Sequence, residues 1–133
     1  VGQPLDKRTS VPYSLFIRVE AGSGTRDAEA HSMINEIRNK IAAGQFEFSK
    51  HAADQSILRQ VTVLEMREAI AQGGIIEDYP DDKFGPSCLL FGYTDSGRPL
   101  HVQCSYPSRT LVKIVTLYEP EPSLWIDLRV RRA

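Results

Sequence analysis

Residues 75–118 contain four runs rich in β-branched and aromatic residues, separated by short turn clusters. The four runs are 75–79, 88–93, 100–106 and 111–118. The clusters between them are rich in Pro, Asp, Ser and Gly, which favour tight reversals of the chain. Links this short join antiparallel strands, because a parallel connection needs about a dozen residues or more. The pattern therefore predicts an antiparallel meander at the centre of the fold.

The residues before the meander predict three helices and one short strand. The first helix has three apolar residues at helical spacing, Ile34, Ile37 and Ile41. Ser32 is placed to cap this helix at Met33, and Gly44 is placed to end it. An alternating run at 46–49 then predicts the strand, and Ser49 can cap a second helix over 50–59.

The third helix has the clearest start signal in the chain. Thr62 and Glu65 have the spacing of a capping box, and Val61 with Met66 supplies the matching hydrophobic staple. A Gly pair at 73–74 should end the helix. The complete order predicts an α+β fold, with N-terminal helices packed on one face of a curved antiparallel β-sheet. Residues 124–130 are a candidate last edge strand.

The domain organisation follows from a change in pattern at Met33. Residues 1–32 carry scattered Gly and Pro and one short apolar run, 13–19, which is a candidate isolated strand. We interpret 1–32 as an extension, either non-native or flexible, and 33–133 as a single α+β domain. A chain of 133 residues with 41% hydrophobic and 25% charged positions is long enough for one core.

The composition of the chain argues against several classes of function. The formal net charge of −1 gives no global positive field of the kind that attracts nucleic acids without specificity. Cys88 and Cys104 have no zinc-type spacing, so we expect reduced core thiols. No apolar run approaches the roughly 20 residues of a membrane span. We therefore expect a cytoplasmic protein that needs no cofactor, metal or membrane.

Two histidines lie beside predicted elements of the domain, and imidazole is the usual group for proton transfer near neutral pH. His51 falls in the first turn of the second helix, with Gln55 and Arg59 on the same helical stripe. The three residues form either a functional polar ridge or the solvated side of an amphipathic helix.

His101 lies in the third run of the meander. Strict alternation places His101, Gln103 and Ser105 on the face opposite Leu100, Val102 and Cys104. His101 then faces outward, or it is a histidine at the core edge that donates to a backbone carbonyl. The same alternation places Lys113 and Tyr118 on opposite faces of the fourth strand.

Charged residues form two candidate surfaces. Basic residues near the strand turns, with Arg59 and the C-terminal arginines, predict a patch for phosphates. The turn residues are Arg98, Arg109 and Lys113. An acidic cluster falls at 77–82 and suits a basic protein partner or a metal ion.

From residue 46 to about residue 120 the chain resembles an uncharacterised bacterial family, domain of unknown function 4258. The matching pieces are Phe48-Ser49-Lys50-His51-Ala52, Arg59 with Val61-Thr62, Ala69-Ile70-Ala71-Gln72-Gly73, Ile75-Ile76-Glu77-Asp78-Tyr79-Pro80, Gly97-Arg98-Pro99-Leu100-His101-Val102 and Ile114-Val115-Thr116-Leu117-Tyr118-Glu119-Pro120. The element order is similar to that of the RelE, MqsR and BrnT group of toxins, small α+β proteins that cut RNA without a metal.

The resemblance implies a catalytic set for cleavage of RNA. Its candidate catalytic residues are His51, Arg59, Arg98, His101 and Tyr118. Gln55 of the polar ridge and the patch residues Arg109 and Lys113 are the candidate substrate-binding residues, chosen from the pattern of the chain itself. In such a mechanism a base removes the proton of the ribose 2′-hydroxyl and an acid protonates the leaving 5′-oxygen, and His51 or His101 is the expected base or acid. Arg59 and Arg98 are expected to neutralise the phosphate.

Three functional hypotheses follow. The first is a metal-independent endoribonuclease of a toxin-antitoxin pair, which predicts that the histidines and arginines converge in one cleft. The second is a non-catalytic interaction module of the same fold, which predicts that the histidines lie apart or are buried. The third is a metal-assisted hydrolase that uses His51, His101 and the acidic residues.

Overall fold

The computed structural model describes residues 24–133, and for residues 24–28 and 30 it describes the backbone alone. The candidate strand at 13–19 and most of the predicted extension lie outside the described residues. Three helices are described: α1 (Gly24–Ala42), α2 (Lys50–Leu58) and α3 (Val63–Gln72). Seven strands are described: β1 (Phe46–Phe48), β2 (Gly74–Tyr79), β3 (Ser87–Tyr93), β4 (Pro99–Ser105), β5 (Val112–Tyr118), β6 (Trp125–Ile126) and β7 (Val130–Arg131).

The main sheet has the strand order β1-β5-β4-β3-β2. Strands β2 to β5 pair antiparallel in sequence order, which confirms the predicted meander. Strand β1 pairs parallel with β5, with Phe46 opposite Val112, so the sheet is mixed rather than wholly antiparallel. The parallel pair is possible because the long connection from β1 to β5 passes through two helices and the meander.

Helix α1 begins nine residues before the predicted start at Met33, and Ser32 lies inside it rather than at its cap. The sequence at 27–31 is rich in Ala and acidic residues, which are compatible with a helix but carry no apolar stripe to reveal one. The end is as predicted. Gly44 takes a φ of +78°, and its amide donates to the carbonyl oxygen of Ile41 at 3.0 Å.

The start signals of α2 and α3 are confirmed. The Ser49 side chain accepts from the amide of Ala52 at 3.0 Å. At α3 the Thr62 hydroxyl accepts from the amide of Glu65, and the Glu65 carboxylate accepts from the amide of Thr62, both at 3.0 Å. Both helices therefore start where their side chains satisfy backbone donors that have no partner within the helix.

The helix side of the sheet holds the larger core. Isoleucines of α1, Met66 and Ile70 of α3, and the inward residues of β3, β4 and β5 are buried together. Gly92 of β3 brings the strand against α3, because a Cβ built there would lie 2.0 Å from the Ala69 carbonyl oxygen. The two thiols, Cys88 and Cys104, are free, buried and opposite each other across β3 and β4.

A second, smaller core covers part of the other sheet face. It contains Ile76, Tyr79, Leu89, Phe91 and Trp125. Trp125 belongs to a hairpin of β6 and β7, so residues 124–130 do not form the predicted edge strand of the main sheet. The chain reverses inside this segment, where Asp127 and Leu128 have φ values of +52° and +61°.

A bulge in the pairing of β4 with β5 changes which side chains share a face. The register shifts between Gln103 and Cys104, so that Thr116 is opposite Gln103 while Ile114 is opposite Cys104. Lys113 and Tyr118 consequently lie on the same face, away from the larger core, and the sequence prediction of opposite faces is wrong. One extra residue in a strand reverses the alternation beyond it.

Candidate functional site

A cavity of about 920 Å³ lies on the sheet face opposite the larger core. We call it the sheet-face cavity. The start of α2, the outward residues of β4 and β5, and the loops before β3 and β5 form its walls. Its walls include Ser49, His51, Ser87, Ser105, Arg109, Lys113, Val115 and the loop 81–86. Three predicted site residues therefore meet in one place: His51, Arg109 and Lys113.

His51 reaches this cavity because Ser49 fixes the start of α2 against β5. The Ser49 hydroxyl donates to the carbonyl oxygen of Val115 at 3.0 Å, and the Ser49 amide donates to the carbonyl oxygen of Ile114 at 2.9 Å. His51 follows two residues later and is exposed. An accessible imidazole at a cavity wall can exchange protons with a bound molecule.

The cationic side of the cavity comes from Lys113 and Arg109. Lys113 projects from β5, and its ammonium group makes no ion pair with any side chain that the structure describes. Arg109 pairs with Glu47 at 3.7 Å, and both side chains are nearly half exposed, so this pair is weak. Two cations beside an imidazole favour an anionic ligand.

Gln55 and Arg59 continue the stripe of His51 but do not line the cavity. The Gln55 amide oxygen accepts from Arg59 Nε. Eight residues of helix place Arg59 about 12 Å along the axis from His51. Burial lowers the pKa of Arg59, and attraction to Tyr118 and Glu121 opposes this effect. The predicted ridge thus extends along α2 away from the cavity.

Arg98 is held by protein acceptors on all sides of its guanidinium group. It donates to Glu119 at 2.9 Å, to Glu65 at 3.1 Å and to the carbonyl oxygens of Gln60 and Arg59. Hydrogen bonding to Glu119 raises the pKa of Arg98, and Glu65 adds to this effect. Arg98 therefore ties the turn before β4 to the α2–α3 connection.

His101 is fully buried in a cluster with Tyr118, Phe91 and Trp125. Its Nε2 lies 2.6 Å from the carbonyl oxygen of Leu128, which can only accept, so Nε2 carries the proton. Its Nδ1 then accepts from the Tyr118 hydroxyl at 3.1 Å. Of the two alternatives for His101, the structure shows the histidine that donates to a backbone carbonyl, and both ring nitrogens are engaged inside the protein.

The His101 cluster gives a testable pH dependence of stability. Burial lowers the pKa of His101 to about 4, the nearby charge of Arg131 acts in the same direction, and the Leu128 carbonyl opposes them. An unfolded histidine has a pKa of about 6.5, so the unfolded chain binds more protons between these values. The stabilisation from neutral His101 is complete above about pH 6.5 and is lost as the pH falls towards 4.

We expect the free energy of unfolding of the wild type to fall by about 3 kcal/mol more than that of His101→Gln between pH 7 and pH 4. The His101→Gln variant is the control for the wild type, because the two proteins share every other titrating group. Urea unfolding at several pH values measures the difference. A gap between the two proteins that stays constant with pH would contradict the burial account of His101.

The predicted acidic cluster is divided between the sheet and a loop. Glu77 is buried in β2, where its carboxylate accepts from Arg131 at 3.0 Å and from Tyr79. Asp78 accepts from the Tyr106 hydroxyl at 2.5 Å. The carboxylates of Asp81 and Asp82 alone belong to the cavity wall. The turn-forming residues that follow Glu77 suggest that the Glu77 carboxylate is exposed. The bulge in β2 turns the Glu77 side chain inward instead.

The sequence analysis did not predict that Phe84 lines the cavity. This ring is 82% exposed at the cavity wall, and Lys83 Nζ lies 5.0 Å from its centroid. Phe84 sits between Lys83 and Gly85 in a loop rich in Asp and Pro, where an aromatic residue has no periodic neighbours. The one sequence signal for a role in ligand binding is that Phe84 is an aromatic residue alone in a turn-forming stretch.

Among the residues whose side chains are described, there is neither a metal-ligand cluster nor a membrane-spanning helix. In that part of the chain no three His, Cys, Asp or Glu side chains are grouped so that they could hold a metal ion. None of the three described helices has the length and apolar character to span a membrane.

The fold and the cavity define a small α+β domain whose helices cover one face of a five-stranded mixed sheet and leave part of the other face open. A family model described as a domain of unknown function, DUF4258, matches residues 48–119, which is more than half of the chain, and the chain belongs to this family. No curated protein and no solved structure matches the chain.

Proposed function

We propose that this chain is a toxin-like, metal-independent endoribonuclease whose substrate site is the sheet-face cavity, and that an antitoxin protein restrains it. The observation that carries the proposal is the meeting of an accessible imidazole, His51, with the cationic side chains of Arg109 and Lys113. The cavity volume of about 920 Å³ suits a nucleotide-sized ligand, since ligand sites occupy about 300–1,000 Å³.

The proposed reaction is a transfer of the phosphoryl group to the ribose 2′-oxygen. His51 removes the 2′-hydroxyl proton as the bond from the 2′-oxygen to phosphorus forms. The bond from phosphorus to the 5′-oxygen breaks, and the Lys113 ammonium donates a proton to that oxygen. Arg109 stabilises the negative charge on the phosphate in the transition state. The products are a 2′,3′-cyclic phosphate and a 5′-hydroxyl.

In this proposal Arg109 and Lys113 take the phosphate-binding role that the family resemblance gives to Arg59 and Arg98. The guanidinium of Arg98 already donates to four protein acceptors. His101 and Tyr118 are buried and bonded to each other, so we assign them to the structural support of β4 and β5. Of the two histidines in the domain, only His51 keeps a proposed role in proton transfer.

A second candidate function is the non-catalytic interaction module. The burial of His101 favours it, because the two histidines do not share one accessible cleft. Exposed apolar side chains around the α2–α3 connection also favour a protein partner: Ile57 is 79% exposed, Leu58 74% and Leu64 64%. A module of this kind leaves RNA intact in every variant.

Binding of RNA is tested most simply with a 2′-O-methyl oligonucleotide, which cannot undergo the proposed reaction. We expect Lys113→Ala to weaken binding about tenfold and to reduce the slope of log affinity against log salt by about 0.7, because one phosphate contact is lost. Fluorescence anisotropy over a series of salt concentrations measures both quantities.

The matched control for this experiment is Lys50→Ala. Lys50 is one residue from His51, but its side chain is 91% exposed and pairs with Asp54. We expect this variant to bind the oligonucleotide almost as the wild type does. Equal losses in the two lysine variants would indicate diffuse attraction to surface charge and would count against the cavity as the site.

A further inference from the structure

The sheet-face cavity has an acidic and aromatic wall opposite its cationic wall. Arg109, Lys113 and His51 come from the β5 side, whereas the loop 81–86 comes from the β3 side and carries two carboxylates, one cation, Lys83, and the Phe84 ring. Strand β4 separates the two sides in the sheet. A nucleotide has the same division, with an anionic phosphate at one end and a flat base at the other. The two walls therefore match the two ends of one nucleotide.

The loop on the acidic wall is held in a fixed shape. The Asp82 carboxylate accepts from the Ser87 hydroxyl at 3.1 Å, and Ser87 also accepts from the Gln103 amide at 3.1 Å. The amide of Gly85 donates to the carbonyl oxygen of Asp82 at 2.9 Å, with Gly85 at a φ of +107°. A loop braced in this way can hold a recognition group in one position.

Two side chains of the loop are open to a ligand. The Asp81 carboxylate is exposed and makes no hydrogen bond or ion pair within the described residues. The Phe84 ring is 82% exposed although it lines the cavity, and its described ring contact is with Lys83, whose Nζ lies 5.0 Å from the centroid over one face. An exposed aromatic face is a stacking platform for a nucleic-acid base.

The Asp81 carboxylate can distinguish the four bases by the hydrogen-bond donors that each base presents. An ionised carboxylate only accepts hydrogen bonds, and its two oxygens suit two parallel donors. Guanine presents two adjacent donors, N1–H and the N2 amino group, on its Watson–Crick edge. Adenine and cytosine place an acceptor nitrogen beside their amino group, and uracil places two carbonyls around its N–H, so each of them repels the second oxygen.

We propose that the loop 81–86 reads guanine, with the Asp81 carboxylate accepting from its Watson–Crick edge and Phe84 stacking on its ring. The inference rests on the proposed function, since it assumes that a phosphate of RNA occupies the Arg109 and Lys113 side of the same cavity. Asp82 acts as a positioning residue that holds the loop through Ser87. The enzyme then cuts beside guanosine.

The experiment measures binding of the four nucleoside 3′-monophosphates to the full chain by calorimetry at fixed low salt. We expect guanosine 3′-monophosphate to bind about tenfold more tightly than the other three, because a bidentate contact to a base discriminates by about 5-fold to 150-fold. Asp81→Asn should remove the preference. The matched control Asp95→Asn, in an exposed turn outside the cavity, should keep it. Phe84→Leu should weaken all four by about tenfold.

The outcomes separate this inference from the proposed function. If the four nucleotides bind alike in the wild type, or if Asp81→Asn keeps the preference, the guanine proposal is overturned and the phosphate site stands. If none of the four binds, both the guanine proposal and the cavity as an RNA site are overturned. Thermal melting checks that each variant is folded, which is expected for Asp81 because its side chain is exposed.

Discussion

Gly92→Ala is expected to destabilise the folded state by about 3 kcal/mol or more, a large effect for the addition of one methyl group. The added Cβ would lie 2.0 Å from the carbonyl oxygen of Ala69, 2.8 Å from its carbonyl carbon and 3.0 Å from Gly73 Cα. All three are backbone atoms, so no side chain can rotate away. The variant must separate α3 from β3, where buried residues of the larger core meet.

The matched control is Gly74→Ala. Gly74 starts β2, its φ is not positive, and a Cβ there meets no atom within 4 Å. We expect a change in the free energy of unfolding of no more than about 0.5 kcal/mol for this variant. Urea unfolding of both proteins measures the contrast. Similar stabilities for the two variants would show that α3 and β3 pack less closely than these distances require.

His51→Ala is expected to lower the rate of RNA cleavage by about 100-fold or more, because it removes the proposed base. The loss should appear in the rate constant of a single turnover, with little change in affinity for the uncleavable oligonucleotide. The free energy of unfolding should change by no more than about 0.5 kcal/mol, since the side chain is exposed on α2.

His31→Ala is the matched control for the loss of a histidine. His31 is also an exposed helical residue, but it lies on α1 and does not line the cavity. We expect cleavage at the wild-type rate. If His51→Ala cleaves as fast as His31→Ala, the proton-transfer role of His51 is wrong even if RNA still binds.

The local elements of this fold could be predicted because their signals are local. The caps at Ser49 and Thr62 each satisfy a backbone donor three residues away, so sequence spacing alone reveals them. The meander is visible in the same way, because short turns allow only antiparallel neighbours. The parallel partner of β1 could not be predicted, since it joins residues more than sixty positions apart.

The side-chain geometry of the candidate site was less predictable. Strict alternation puts Lys113 and Tyr118 on opposite faces, but the bulge between β4 and β5 brings both to the open face. This error matters for function, because Lys113 is a cation of the cavity only on that face. The burial of His101 depends on Trp125 and Leu128 of the C-terminal hairpin, and no local pattern around His101 indicates that cover.

The five candidate catalytic residues form a set only through family resemblance, and the structure divides them by accessibility. His51 lies at the cavity wall, whereas His101 and Tyr118 lie beneath the hairpin. The guanidinium group of Arg98 forms ion pairs with Glu65 and Glu119. Residue type alone does not distinguish a cation that binds a ligand from one that holds a turn, because the partners of Arg98 come from 33 and 21 positions away.

The most direct test of the central claim is the chemistry of the product ends. Purified protein is incubated with a single-stranded RNA, and with DNA of the same sequence, in the presence of EDTA, and the products are analysed by mass spectrometry. The account predicts RNA fragments that end in a 2′,3′-cyclic phosphate, partner fragments with a 5′-hydroxyl, and intact DNA, because the 2′-hydroxyl is the nucleophile. Intact RNA after full incubation, or equal cutting of the DNA, would contradict it.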